Sequence, residues 1–121
     1  MLFNFRHLVG AFKYSLAGLR RVWSGEQAFR HEVLIFPVIL VLLWLIKPGF
    51  AWAAAIIASW LLVMSFELVN SAIEEAFDLV SPEYNIHVKY GKDMASAAIL
   101  VAICAHVTLW VCMLFDVYYV N

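Results

Sequence analysis

Four polar residues in an otherwise apolar stretch, Glu67, Asn70, Glu74 and Asp78, are separated by 3, 4 and 4 positions. On a helix turning 100° per residue that spacing makes a single stripe about 80° wide. Two more groups carry compatible chemistry: Glu26 four residues before Arg30, and Lys92-Asp93 followed by Ser96. Carboxylates beside an amide form a hard, oxygen-rich site suited to Mg²⁺, which usually shares its ligands with substrate phosphates. A nearby lysine would meet phosphate as a point charge. A metal, a cation and a carboxylate able to take a hydroxyl proton are the parts of phosphoryl transfer. Glu67 and Asn70 held inside a helical bundle would also suit an ion-coupled transporter, so residue types alone leave both readings open. A solvated helix end accounts for Glu75 and Asp78 as well as any function does. It accounts less well for Glu67 and Asn70, which Leu68, Val69 and Ile73 flank.

The elements that must hold these groups are set by composition. The 121 residues are 65% hydrophobic and 14% charged, with a net charge of −1, and the mean hydropathy is +0.87. Soluble domains are roughly half apolar and about a quarter charged, so the solvent of this chain is lipid. Nucleic-acid binding through net positive charge, disorder and a disulfide-stapled secreted module are excluded on the same grounds. Cys104 and Cys112 lie in one apolar run and read as small hydrophobes.

Three stretches lack Asp, Glu, Lys and Arg: Val33 to Ile46, Phe50 to Phe66 and Met94 to Phe115. A spanning helix needs about 20 mostly apolar residues. Extending the runs into their flanks predicts membrane helices over 27–47, 50–79 and 89–118. Pro48-Gly49 predicts a tight turn between the first two, with glycine free to take positive φ. Ser81-Pro82-Glu83 predicts the second break, with Ser81 as a helix cap. Residues 1–25 differ. Phe5, Leu8, Val9, Phe12, Leu16, Leu19 and Trp23 recur at spacings of 3, 1, 3, 4, 3 and 4, while Arg6, Lys13 and Arg20 repeat every seven residues on another face. That pattern predicts a basic amphipathic helix lying on a membrane surface. No uncharged run suited to a cleaved signal follows the first basic residue. The whole, 1–121, reads as one all-α membrane domain.

Seven of the eight basic residues (Arg6, Lys13, Arg20, Arg21, Arg30, Lys89 and Lys92) fall on one side of three spans, leaving Lys47 on the other. The positive-inside rule then puts the N-terminus and the 80–90 loop in the cytoplasm and Asn121 outside. Glu67 comes to rest near the cytoplasmic headgroups. A lipid hydroxyl floats at that depth, and a water-borne phosphate donor arrives from the same side. Three helices cannot enclose a site, and the small residues Ala95, Ala98, Ala102 and Ala105 permit close helix contact, so a homo-oligomer with composite sites is expected. Neither a Walker A loop nor a G-x-G-x-x-G can be built from the five glycines, and no Cys/His spacing suggests zinc. His7, His31 and His87 fall near headgroup level. His106, in mid-span, reads as a bonded core or interface residue.

Glu67-Leu-Val-Asn70-Ser-Ala-Ile-Glu74, followed by Asp78, Ser81-Pro-Glu83-Tyr84 and Lys92-Asp93-Met-Ala-Ser96, closely resembles the bacterial integral-membrane diacylglycerol kinase family, which includes undecaprenol kinases. Tyr14-Ser15, Gly18-Leu19-Arg20, Trp23 and Glu26 through Glu32 match as well, so the resemblance runs from about Phe5 to Trp110. It implies a homotrimer of three-span subunits with an N-terminal surface helix, moving the γ-phosphate of Mg-ATP to a lipid hydroxyl. It further implies Glu67 as general base, and Glu26 and Glu74 as holders of the Mg²⁺, with Asn70 in support. Tyr14, Glu83, Tyr84, Asn85, Lys92 and Asp93 would contact nucleotide, and Arg30, Glu32, Ser96 and Trp110 would line the lipid path. The family's loop often reads Glu-Tyr-His where this chain has Asn85. Its early basic residue could be Arg6 or His7. Met94 to Ala98 and Arg30-His-Glu32 look like the diacylglycerol pattern, whereas Asp78-Leu-Val-Ser-Pro-Glu looks like the undecaprenol one. Diacylglycerol, phosphorylated at the inner membrane, is the favoured substrate. Undecaprenol is the alternative within the family, and a small ion-coupled transporter subunit the alternative outside it. No nucleic-acid partner is expected.

Overall fold

The computed structural model describes residues 3–120; Asn121, expected outside the membrane, lies beyond the described residues, as do positions 1 and 2. The chain is all helical. Helix α1 covers Phe5–Gly25, α2 Gln27–Ile46, α3 Phe50–Val80 and α4 Ile86–Phe115, with a π-helical turn over Asp116–Val120 completing α4. Three of them, α2, α3 and the α4 segment, are long and apolar enough to cross a membrane.

Local sequence explains each boundary. Asn4 opens α1, its side chain accepting from Arg6 N at 3.1 Å and His7 N at 3.4 Å. This is the usual way to satisfy amides that have no partner at a helix start. Glu26 is the joint between α1 and α2: its backbone is extended (φ −120°, ψ 111°) and its N–H bonds back to Val22 O. The i,i+4 geometry expected for Glu26 and Arg30 survives in the backbone, Arg30 N donating to Glu26 O at 3.3 Å, but the two side chains form no ion pair. Lys47 ends α2 in the left-handed conformation and Gly49 follows at φ 105°. The Pro48-Gly49 turn is thus as expected, with Lys47 as an added left-handed residue.

The second break departs from expectation in detail. Ser81 closes α3, its N–H bonding to Phe77 O, and does not open the next helix. Asn85 does that, accepting from His87 N at 2.8 Å, so α4 begins at Ile86 and not at 89. Along α4, Gly91 passes so close to α3 that a Cβ there would lie 2.6 Å from the Phe77 ring.

The helices pack α3 on α4 most extensively and α2 on α3 next, with α1 lightly attached to both. A small core of Ile39, Leu43, Ile56, Trp60, Val63 and Met113 joins all three long helices. Ala95, Ala98 and Ala102 are half-buried and Ala105 is exposed, so most of the small-residue stripe serves packing within the chain. At the far end Trp52 Nε1 donates to Asp116 Oδ2 at 2.8 Å, tying the start of α3 to the end of α4. The apolar residues of α1 remain exposed, Phe5 at 67% and Phe12 at 64%.

Candidate functional site

Four glutamates converge where the α1–α2 joint meets the middle of α3. Glu67 and Glu32 are both buried, at 6% and 7% exposure, on the adjoining helices α3 and α2. Glu74 lies two turns along the same face of α3 from Glu67, and Glu26 borders the cleft beside Leu68, Ser71 and Ala72 of α3. Asn70, also buried, donates from Nδ2 to Glu74 Oε1 at 3.3 Å and so orients that carboxylate. Periodicity brings Glu67, Asn70 and Glu74 together on α3. The bend at Glu26 and the packing of α2 bring the other two.

Buried polar atoms are almost always paired. Here Glu32 Oε2, Asn70 Oδ1 and Ser71 Oγ are buried with no hydrogen-bond partner. All three belong to this cluster or to the next residue along α3. Beside it, a cleft of about 700 Å³ opens between α1 and α3, lined among others by Ser15, Gly18, Arg21, Glu26, Ser71 and Glu75. Arg21 Nη2 approaches Glu75 Oε1 across this cleft at 3.7 Å, both side chains about three-quarters exposed. Ser71, Arg21 and Glu75 were not singled out as site residues from sequence. Only the contact of α1 with α3 makes them neighbours of Glu26.

The donor set suits a nucleotide-bound Mg²⁺. Among the described residues no three His, Cys, Asp or Glu side chains form a ready metal cage. Mg²⁺ dehydrates reluctantly and is commonly held by one or two carboxylates plus substrate phosphates, which is what Glu26 and Glu74 can offer.

The other predicted residues are spread over α1, α2, α4 and the α3–α4 connection. Lys92 Nζ contacts Asp78 Oδ1 at 2.9 Å, joining α4 to the exposed end of the α3 stripe. Asp93 accepts from Lys89 Nζ at 2.7 Å. Glu83, Tyr84 and Asn85 stand in the exposed α3–α4 connection, Asn85 with its side-chain oxygen committed to the α4 cap. Tyr14 is 79% exposed on α1, and with Arg6 and His7 it lines a smaller depression. Arg30 is half-buried near the joint, and Ser96 is exposed on α4. Trp110 is half-buried farther along α4, its indole N–H engaged by His106 Nε2 at 2.9 Å. One chain therefore brings together the carboxylates, and Lys92 meets the same α3 stripe at Asp78, one turn beyond Glu74.

A family profile described as prokaryotic diacylglycerol kinase matches residues 13–114. The chain is 42% identical over 101 residues to a diacylglycerol kinase of Sinorhizobium sp., covering 84% of this chain and 73% of that one. It is 38% identical over 114 residues to the diacylglycerol kinase of Escherichia coli strain K12, covering 93% of both. With the diacylglycerol kinase of Haemophilus influenzae the identity is 35% over 109 residues, 90% of this chain and 92% of that one.

Proposed function

The chain belongs to the prokaryotic diacylglycerol kinase family, and from that premise we propose that it transfers the γ-phosphate of Mg-ATP to the free hydroxyl of diacylglycerol, giving phosphatidic acid and ADP. It is a phosphotransferase enzyme. The observation carrying the reading is the burial of Glu67 and Glu32 on adjoining helices, with Glu74 oriented by Asn70 and an unpartnered oxygen on Glu32.

In this mechanism the lipid hydroxyl enters beside Glu67, and Glu32 Oε2 helps to orient it. Glu67 takes the hydroxyl proton as the lipid oxygen bonds to the γ-phosphorus. The bond from that phosphorus to the β–γ bridging oxygen breaks, and ADP leaves. Glu26 and Glu74 would hold the Mg²⁺, which offsets phosphate charge when bound. Asn70 keeps Glu74 turned toward that role. Holding both substrates in line lends much of the rate, since oriented reactants can gain the equivalent of about 7–11 kcal/mol. Lys92, Asp93, Tyr14 and the residues 83–85 are assigned to nucleotide, and Arg30, Ser96 and the ring of Trp110 to the lipid.

The finer assembly belongs to the same proposal. Arg6, Lys13 and Arg20 on a face of α1 that flanks its exposed apolar stripe favour a helix lying on the membrane surface. The excess of basic residues at the same end favours a cytoplasmic N-terminus in the inner membrane. The large apolar faces left exposed along the long helices favour a homotrimer whose subunits complete one another's sites.

The test of substrate is direct. Purified protein in mixed micelles with labelled Mg-ATP is offered diacylglycerol and undecaprenol side by side. Label should enter phosphatidic acid. Preferential labelling of undecaprenol would move the chain to the other branch of the family, which the names of its relatives do not favour. ATP-independent ion flux in liposomes, with no lipid labelled, would return it to the transporter reading.

A further inference from the structure

His106 stands in the apolar middle of α4, 5% exposed, where an ionisable side chain is costly unless it serves a purpose. Its bonding is complete. Trp110 Nε1 can only donate, and it lies 2.9 Å from His106 Nε2. The imidazole therefore accepts there and carries its proton on Nδ1, which meets Ser59 Oγ at 2.6 Å. The Ser59 hydroxyl in turn donates to Ile56 O at 2.9 Å. Each ring nitrogen has one partner, and the Ser59 hydroxyl both accepts from Nδ1 and donates to Ile56 O, so the four groups bind α4 to α3 in a single register.

This network reaches the glutamates through Trp60. The His106 and Trp60 rings pack with centroids 5.0 Å apart, and Trp60 Nε1 donates to the backbone oxygen of Glu32 at 2.9 Å. Trp60 is itself 7% exposed within the core. Its N–H ties α2 to α3 at Glu32, which like Glu67 is buried between these helices and the rest of the chain. In lipid no water competes for that N–H.

We infer that His106 is a positioning residue for phosphoryl transfer: it fixes the Trp60 indole so that the α2 backbone at Glu32 stays docked beneath Glu67. The inference rests on the kinase reading for its effect on turnover and on geometry alone for its effect on Trp60. His106 touches neither substrate. Its loss should lower kcat and leave nucleotide binding intact, because a small misplacement at the reacting groups is costly in rate.

The experiment combines kinetics with exchange of the indole N–H protons in ¹⁵N-tryptophan-labelled protein in micelles. His106→Leu is expected to reduce kcat about tenfold with KM for ATP within twofold of wild type. It should also speed exchange of the Trp60 indole proton while leaving that of lipid-facing Trp44 unchanged. Trp60→Phe, which removes only the N–H donor, should lower kcat to the same level, and the double variant should fall no further. His106→Gln retains an acceptor and a donor and should recover at least half of kcat. Ser59→Ala is the milder substitution should His106→Leu fail to fold, and it should act in the same direction on kcat and on Trp60 exchange. Unchanged Trp60 exchange in the variants overturns the positioning role whether or not the enzyme is active. Wild-type kcat in His106→Leu, or a loss confined to KM for ATP, overturns it too. A wild-type protein that labels no lipid defeats the kinase reading separately.

Discussion

Glu74 is held by Asn70, and Glu26 by an extended joint whose N–H is already bonded to Val22 O. The Glu74 carboxylate is therefore oriented, and the Glu26 backbone fixed, before any ligand arrives. Losing one anionic ligand removes a charge-assisted contact worth roughly 1.5–3 kcal/mol, or about 10- to 100-fold in affinity. Glu74→Ala and Glu26→Ala should each raise the Mg²⁺ concentration for half-maximal turnover by about tenfold or more, read from a Mg²⁺ titration at saturating lipid. An unchanged Mg²⁺ requirement in both would remove them as metal holders. The α3 carboxylates were legible in the sequence because they share one helix, where spacing alone fixes which face they occupy. Glu32 was legible only through resemblance, as part of a lipid path. Its burial against Glu67 depends on how α2 leans on α3, and no local periodicity encodes that lean. For the same reason the Lys92–Asp78 contact, 14 residues apart, was not foreseen.

At the scale of helices, the three long segments follow from runs free of charge, because a charge inside the hydrocarbon costs more than a turn can recover. Their ends depend on particular caps. Asn85 lengthens α4 toward its start by capping His87 N, whereas Ser81 spends its backbone N–H on α3 and starts nothing. Both are residues with good capping side chains, and the Ser-Pro pair favoured Ser81 in sequence although Asn85 makes the cap. The α2–α3 turn depends on Gly49 at φ 105° and ψ 160°, a region open in practice to glycine only. Nothing lies within 4 Å of a Cβ built there, so the cost of a side chain is conformational and not steric. Gly49→Ala should destabilise by about 1–3 kcal/mol, seen as a lowered midpoint in thermal or denaturant unfolding in detergent, with KM for ATP unchanged because the turn lies at the opposite end of α3 from Glu74. A midpoint equal to wild type would mean the turn has rearranged.

For the molecule as a whole, one chain leaves large apolar faces uncovered. Leu34, Val38, Val41 and Leu45 run along α2 at 63%, 56%, 55% and 61% exposure, at spacings that suit either lipid or another copy. The glutamates gather within the chain, but Lys92 points to Asp78. If neighbours supply the missing groups, co-reconstituting Glu67→Gln and Lys92→Ala chains, each inactive alone, should restore transfer in mixed assemblies, since some sites then draw the intact glutamates from one subunit and the intact lysine from the other. Activity no greater than that of the separate variants would place both residues in one subunit's site. Beneath all of this lies the claim that Glu67 removes the proton of a lipid hydroxyl beside a metal-bound triphosphate. General-base catalysis is worth about 10²- to 10⁴-fold. The most direct measurement is therefore the turnover of Glu67→Gln with diacylglycerol, taken together with Mg-ATP binding by the same preparation. The account predicts a loss of at least about 100-fold in kcat with nucleotide binding retained; wild-type turnover in Glu67→Gln would contradict it.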